Sequence, residues 1–220
     1  ADPGPVLEWL QSKRLKSYKQ NTNNFYKNFD ESFIKNPDTL NNFHPRIAFR
    51  LISRSTDSRT LRACLVPPKT FHVHSSQLVN IFSKNKFDEA YLLGVLCSIP
   101  LDWYARRFVE INFTFNYFNS LPLPRPSRNN PLWKRVVELS GSLACQDERF
   151  EEWGSKINIS PKKLSLLEIN YKICELDAVV ALLYGLSKNQ LIHIFETFHK
   201  GWDYHERLKE VLKFFNKHKI

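Results

Sequence analysis

Arg46-Ile47-Ala48-Phe49-Arg50-Leu51-Ile52-Ser53-Arg54 changes the character of the chain. Side chains alternate across a strand with a period of two, so Ile47, Phe49 and Leu51 fall on one face and Arg46, Arg50 and Arg54 on the other. Ser55-Thr56-Asp57-Ser58 is turn chemistry. A second alternating run follows, with Leu61, Ala63 and Leu65 opposite Thr60, Arg62 and Cys64. Two such runs around a short polar loop predict a β-hairpin. Pro67-Pro68 ends it, and Thr70-Phe71-His72-Val73-His74 reads as a third short strand.

Outward from the hairpin the pattern turns helical. Before it, residues 8–45 are rich in Lys, Asn and Phe with little periodicity. The steps Asn23-Asn24, Asn36-Pro37 and Asn41-Asn42 there suggest loops between short elements. After it, Phe87, Tyr91, Leu92, Val95 and Leu96 recur at helical spacing, with Asp88 and Glu89 suited to the first turn. A second short helix is expected over 101–109 and a strand over Asn112–Phe118. Leu121-Pro-Leu-Pro-Arg-Pro-Ser has the composition of a stiff, extended linker and sets a predicted domain boundary at 124/125. Beyond it, helices are predicted from Pro131, from Ser160-Pro161 to Tyr184 with Gly185 as the stop, and near 188–198 and 204–217. Trp133, Trp153, Tyr171, Tyr184, Phe195, Phe198 and Trp202 read as core aromatics. The expected class is α+β: a recognition lobe (1–124) with a small mixed sheet, then an all-helical region (125–220).

The 220 residues carry a net charge of +10, which favours a polyanionic partner. Residues 1–130 hold 18 Lys+Arg against 10 Asp+Glu, while 131–220 hold 14 against 12. Within 46–74 there are five Arg and one Lys against a single Asp. No window approaches the ~18 apolar residues of a membrane span. The opening Ala-Asp-Pro-Gly-Pro-Val lacks the pattern of a secretory signal. With no methionine at all, the sequence suggests a fragment of a longer chain, its first few residues a candidate cloning remnant. Cys64, Cys97, Cys145 and Cys174 lie too far apart in sequence for a zinc knuckle or a redox dithiol, so reduced thiols in a cytoplasmic protein are expected.

Much catalytic chemistry is missing from the residues. Six glycines form neither a dinucleotide fingerprint nor a phosphate-binding loop. No Asp/Glu-x-Lys nuclease signature occurs. Neither Asn36-Pro37 nor Asn130-Pro131 continues with the proline and aromatic that would hold an extruded amino base. His72 and His74 share a predicted strand face, but no third metal ligand accompanies them. Asp102 and Asp177 suit helix surfaces or caps better than acid–base work. What is present is a row of forked donors suited to phosphates and guanine edges. Arg50, Arg54, Arg59 and Arg62 lead it, with Thr56, Asp57 and Thr60 in the loop between. Lys69 and His72 join the candidate DNA contacts, and Arg106-Arg107 and Lys84/Lys86 are weaker ones, suited to positioning phosphates rather than reading sequence. The alternative is a solvated sheet face whose arginines pair with acids elsewhere in the fold.

Several segments together resemble one family. They are Phe49-Arg50 through Ser55-Thr56-Asp57-Ser58-Arg59-Thr60-Leu61; Leu65-Val66-Pro67-Pro68; Tyr91-Leu92-Leu93-Gly94-Val95-Leu96-Cys97-Ser98; and Asp102-Trp103-Tyr104-Ala105-Arg106-Arg107. Phe118-Asn119-Ser120-Leu121-Pro122-Leu123-Pro124 and the run from Glu175 to Leu186 complete the set. In order, they resemble the C-terminal region of adenine-N6 DNA methyltransferases of the large type IIG restriction–modification kind and of related phage-defence methylases in bacteria. The resemblance covers about residues 45–218. It implies a target-recognition domain akin to type I specificity subunits, followed by helices that pack on the rest of the enzyme. The family's S-adenosylmethionine-binding loop and Asn-Pro-Pro-Tyr/Phe catalytic motif would lie upstream, outside this sequence. This segment would then hold no catalytic residue, metal or cofactor. It would recognise double-stranded DNA for the parent enzyme's methyltransferase catalytic domain, with no membrane involved, and the parent could also carry a fused nuclease. A helical protein-interaction or scaffold module without direct DNA binding is the alternative from the residues themselves.

Overall fold

A computed structural model describes residues 3–23, 26–79, 81 and 85–219. Over these residues the chain is α+β: a three-stranded antiparallel sheet among ten helices. The Asn23-Asn24 step and Lys84 fall at least partly outside the described residues.

The sheet is built around β1 (Arg46–Arg50), with β2 (Ala63–Val66) on one side and β3 (Ser76–Leu78) on the other. Ile47 pairs with Leu65 and Phe49 with Ala63, in the hairpin register that the alternation predicts. Two expectations fail here. The third strand lies at 76–78 rather than 70–74, because Thr70–His74 form a loop that leads up to a turn at Val73–Ser76. The expected arginine face also does not form. Four of the five β1 residues are buried, Arg46 among them, the strand stops at Arg50, and Arg54 lies in the turn beyond it.

The N-terminal region holds a helix that its sparse apolar spacing conceals, α1 (Gly4–Lys19), whose second residue is Pro5. A short α2 (Glu31–Lys35) follows, capped by the Asp30 carboxylate accepting from Phe33 N–H. Two 3-10 turns, Pro37–Thr39 and Asn41–Phe43, lead into β1.

Helix α3 (Lys86–Leu96) begins at an Asn85 cap and is buried along most of its length. α4 (Ile99–Ala105) comes next, shorter than expected. Asn112–Phe118 is not a strand. Only Asn112 bridges to Ile52, and α5 (Phe115–Asn119) follows. Phe115 and Phe118, three residues apart, both reach the Phe49 ring, at 5.4 and 4.6 Å between centroids. A helical turn permits this, whereas a strand would send the two rings to opposite faces.

The proline-rich segment is packed down rather than free. Tyr91 Oη donates to Pro124 O at 3.0 Å, and Arg128 forks onto the Asp88 carboxylate. α6 (Pro131–Ala144) starts with proline at its first position, as predicted. α7 (Glu151–Ser155) and then α8 (Leu166–Leu183) follow. α8 begins six residues after Ser160, at a capping box in which Ser165 and Glu168 satisfy each other's backbone N–H groups. Gly185 ends it with φ of +68°, a left-handed stop that glycine adopts freely. α9 (Lys188–Glu196) and α10 (His205–His218) complete the helical layer.

One apolar core joins Phe49, Leu61 and Leu65 of the hairpin to Leu93 and Leu96 of α3, Trp133 and Val136 of α6, and Leu176 and Val179 of α8. It runs straight across the expected boundary at 124/125. A second cluster packs Ile99 of α4 against Ala178, Leu191, Phe195, Val211 and Phe215. Of the aromatics expected in the core, Trp133, Trp153, Phe195 and Phe198 are buried, but Tyr171 and Trp202 are about half exposed. Among the described residues no helix is long and apolar enough to cross a membrane. All four cysteines are free, and burial pushes the thiols of Cys97, Cys145 and Cys174 up to about 11.

Candidate nucleic-acid interface

The loop between β1 and β2 carries most of the candidate residues, and its conformation is set from inside. Thr60 Oγ1 donates to Arg54 O at 2.9 Å, and Asp57 N–H donates to the same carbonyl at 3.1 Å. Ser53 N–H and Phe113 N–H extend a short antiparallel ladder between 51–53 and 111–113. Beneath the loop lies Asp102 of α4, fully buried. Its Oδ1 accepts the N–H groups of Thr60 and Leu61, both at 3.1 Å, and its Oδ2 accepts Arg59 Nε at 2.5 Å. Arg59 Nη2 also donates to Cys97 O at 2.8 Å.

Arg106, one turn on from Asp102, is buried. It stacks 3.8 Å over the Phe198 ring, donates to Phe198 O, and reaches Asp57 O at 3.3 Å. Its Nη2 lies 3.8 Å from Asp102 Oδ1. Burial lowers the Arg106 pKa against the pull of Asp102, and arginine stays charged regardless. His199 Nε2 sits 2.6 Å from Thr56 O, so the segment after α9 also holds the loop. α4 is gripped at its other end as well. Asp177 of α8, also fully buried, accepts Ile99 N–H at 2.8 Å and is paired with Arg207. Both aspartates therefore serve as buried braces at helix and loop N–H groups.

This geometry sorts the predicted contacts. Arg59, Thr60 and Arg106 face inward: a guanidinium whose Nε and Nη2 are held by Asp102 and two carbonyls is committed to the fold and does not present a fork to a duplex. The signal was there in the acids of α4, but the forty-odd residues between Arg59 and Asp102 hide the pairing from any local pattern. Arg62 is divided, donating to Arg59 O at 2.9 Å and lying 3.7 Å from the Asp57 carboxylate. Asp57 is thereby occupied, also accepting Arg54 N–H. Thr56 is exposed, with only its carbonyl engaged.

Arg50 and Arg54 are different. Both are exposed at the loop end of the hairpin, and among the described residues neither guanidinium has a hydrogen-bond or ion-pair partner. Arg107 is exposed and stacks 4.2 Å over Trp103. Lys69 and His72 belong to the opposite end of β1, where Lys69 N–H donates to Asn42 O and Thr70 O accepts from Arg46. They are exposed but are not brought together with Arg54. Lys86 is tied to Glu89.

Around the two free arginines lie apolar side chains that the sequence reading passed over. Ile52 and Ile111 are exposed at the short ladder, with Phe108 exposed just before its second side and Phe115 and Tyr117 exposed after it. Among the described residues no three His, Cys, Asp or Glu side chains come close enough to hold a metal ion. No protein-family model, curated protein or solved structure matches the chain.

Proposed function

We propose that the chain is a double-stranded DNA recognition module of the restriction–modification or phage-defence methyltransferase kind, and that it meets DNA through Arg50 and Arg54 rather than through a row of arginines. The observation that carries this reading is the contrast among the arginines in and around the β1–β2 loop. Arg59, Arg62 and Arg106 find acceptors inside the protein, whereas Arg50 at the end of β1 and Arg54 in the loop are exposed with none among the described residues, beside a loop whose far side is held by Asp102. A rigid base carrying two free forked donors suits readout of guanine edges or clamping of phosphates. The positive balance of the first 130 residues supplies the non-specific attraction. Methyl transfer with S-adenosylmethionine would belong to a catalytic domain of the parent enzyme.

The test is duplex binding by fluorescence anisotropy at two salt concentrations, using the whole chain. Arg50→Ala and Arg54→Ala should each weaken binding by about 1–3 kcal/mol if they read bases. If they hold phosphates, each should instead reduce the log–log salt slope by about 0.9. Unchanged affinity and slope in the double variant would overturn the reading. A second reading, docking onto another polypeptide, is favoured by the exposed Ile52, Ile111 and Phe115 beside the arginines. It predicts that Ile111→Asp abolishes partner binding, and that the arginine variants leave DNA affinity unaltered.

A further inference from the structure

At the far end of β1 from Arg54, two arginines are buried with no carboxylate partner among the described residues. Arg14 of α1 is 4% exposed and Arg46 of β1 is 7% exposed. Arg14 donates to Thr39 Oγ1 at 2.9 Å, Gln11 Oε1 at 2.6 Å and Asn36 O at 2.7 Å. Arg46 donates to the carbonyls of His44, Pro67 and Thr70. Every one of these acceptors is neutral. The Nε of each guanidinium is buried and has no acceptor. Among the described residues no carboxylate pairs with either; burial lowers the pKa of both, opposed at Arg14 by the nearby Tyr26 phenol. Elsewhere in the chain the buried charges are matched: Asp102 with Arg59, Asp177 with Arg207, Glu175 with Arg135. A buried cation is ordinarily paired, because removing it from water without a counter-charge costs several kcal/mol. Here two share one locality with none.

Both side chains line a single cleft of 260 Å³ between α1, the Asn41–Phe43 turn and the sheet. Phe33, Leu40, Phe71 and Leu78 contribute apolar walls, and His72 is an exposed residue of the lining. We infer that this cleft is an oxyanion site, taking the phosphoryl group of a compact ligand between Arg14 and Arg46. Two guanidiniums held only by neutral acceptors beside one cleft suit the several oxygens of a phosphate better than a single carboxylate, and the anion supplies the missing counter-charge. The volume falls just below that of common small-molecule sites, so the group bound is a phosphate or a small phosphate ester rather than an extended cofactor. His72, on the cleft lining, adds a ring nitrogen able to donate to the anion. The site is independent of the DNA reading, because Arg50 and Arg54 take no part in it.

The experiment is titration of the full chain with inorganic phosphate, with a nucleoside monophosphate, and with sodium chloride at matched ionic strength. Thermal unfolding and the NMR signals of the arginine Nε–H groups are followed together. Saturable stabilisation by phosphate is expected, with two Nε–H signals shifting along the same binding curve and chloride without effect. Arg46→Gln should abolish the response, and His72→Ala, an exposed change that leaves the fold intact, should weaken it several-fold. Arg54→Gln should leave it unaltered. Tighter binding of the nucleotide than of phosphate would place the aromatic walls in the site, and equal binding would confine recognition to the phosphoryl group. Absence of saturation in the unmodified chain, or an undiminished response in both His72→Ala and Arg46→Gln, would overturn the assignment.

Discussion

Replacing Asp102 by alanine should be among the most damaging single changes in this protein. Asp102 is fully buried, and its two oxygens accept Arg59 Nε and the N–H groups of Thr60 and Leu61. Alanine leaves those two N–H groups buried without a partner, at about 1–3 kcal/mol each. It also strips the counter-charge from Arg59, whose side chain is a quarter exposed and so partly rehydrates, and from the buried Arg106. Taken together and discounted for that exposure, the loss is about 3–5 kcal/mol, the range for breaking a buried pair from one side. Against a total of about 5–15 kcal/mol it removes a large fraction of the stability. For a chain of this length it should lower the melting temperature by roughly 6–20 °C. Asp102→Asn separates the two contributions. It keeps an oxygen for the two N–H groups but gives up the charge and the acceptor of Arg59 Nε, so about 1–3 kcal/mol is expected. The assay is urea unfolding followed by tryptophan fluorescence, with an unchanged m-value confirming that the comparison is of stability alone. A loss below about 1 kcal/mol for Asp102→Ala would refute the claim that this carboxylate locks the loop. Equal losses for alanine and asparagine would show that the charge, not the backbone N–H groups, carries the effect.

Two further predictions concern packing and pH. Gly94 of α3 faces α6, where an added Cβ would meet Val136 Cγ1 at 2.7 Å and Ser140 Cβ at 3.0 Å. Gly94→Ala should therefore destabilise by about 1–3 kcal/mol in the same urea assay. Burial alone would raise the Glu175 pKa, but the Arg135 fork at 2.7 and 2.9 Å and His218 Nε2 at 2.7 Å outweigh it and hold the carboxyl below its ordinary 4.5. Because the folded value is depressed, the unfolded chain binds the proton more readily. The stabilisation is complete above pH 4.5 and fades as pH falls through the folded value. Glu175→Gln should flatten that acid limb in unfolding midpoints compared at about pH 6 and pH 3, and an unaltered limb would contradict the assignment.

Where local chemistry decided the structure, the sequence could be read. Pro131 at a helix start, Gly185 at a helix stop and the alternation of 47–49 with 63–65 each act through neighbours a few residues away. Where distant partners decided it, the reading went astray. Arg46 shares the alternation of Arg50, yet it is buried because the carbonyls of Pro67 and Thr70 receive its guanidinium and the N-terminal segment covers that face. Arg59 looks as free as Arg54 until α4 brings Asp102 beneath it. α1 was hidden because few of its residues are buried, leaving only a weak apolar stripe to detect. Ser165-x-x-Glu168 was a legible start for α8 that Ser160-Pro161 obscured.

Under the proposed role in DNA recognition, the unbroken core across the Leu121–Asn130 segment bears on how the target could change over time. Specificity that resides in a detachable lobe can be exchanged wholesale by recombination. Here a transplanted 1–124 segment would arrive with half of its hydrophobic interior missing, and the helices left behind would expose theirs. Diversification would then proceed by point changes at exposed positions such as Arg50, Arg54 and Thr56, whose side chains can vary without disturbing the braces behind them.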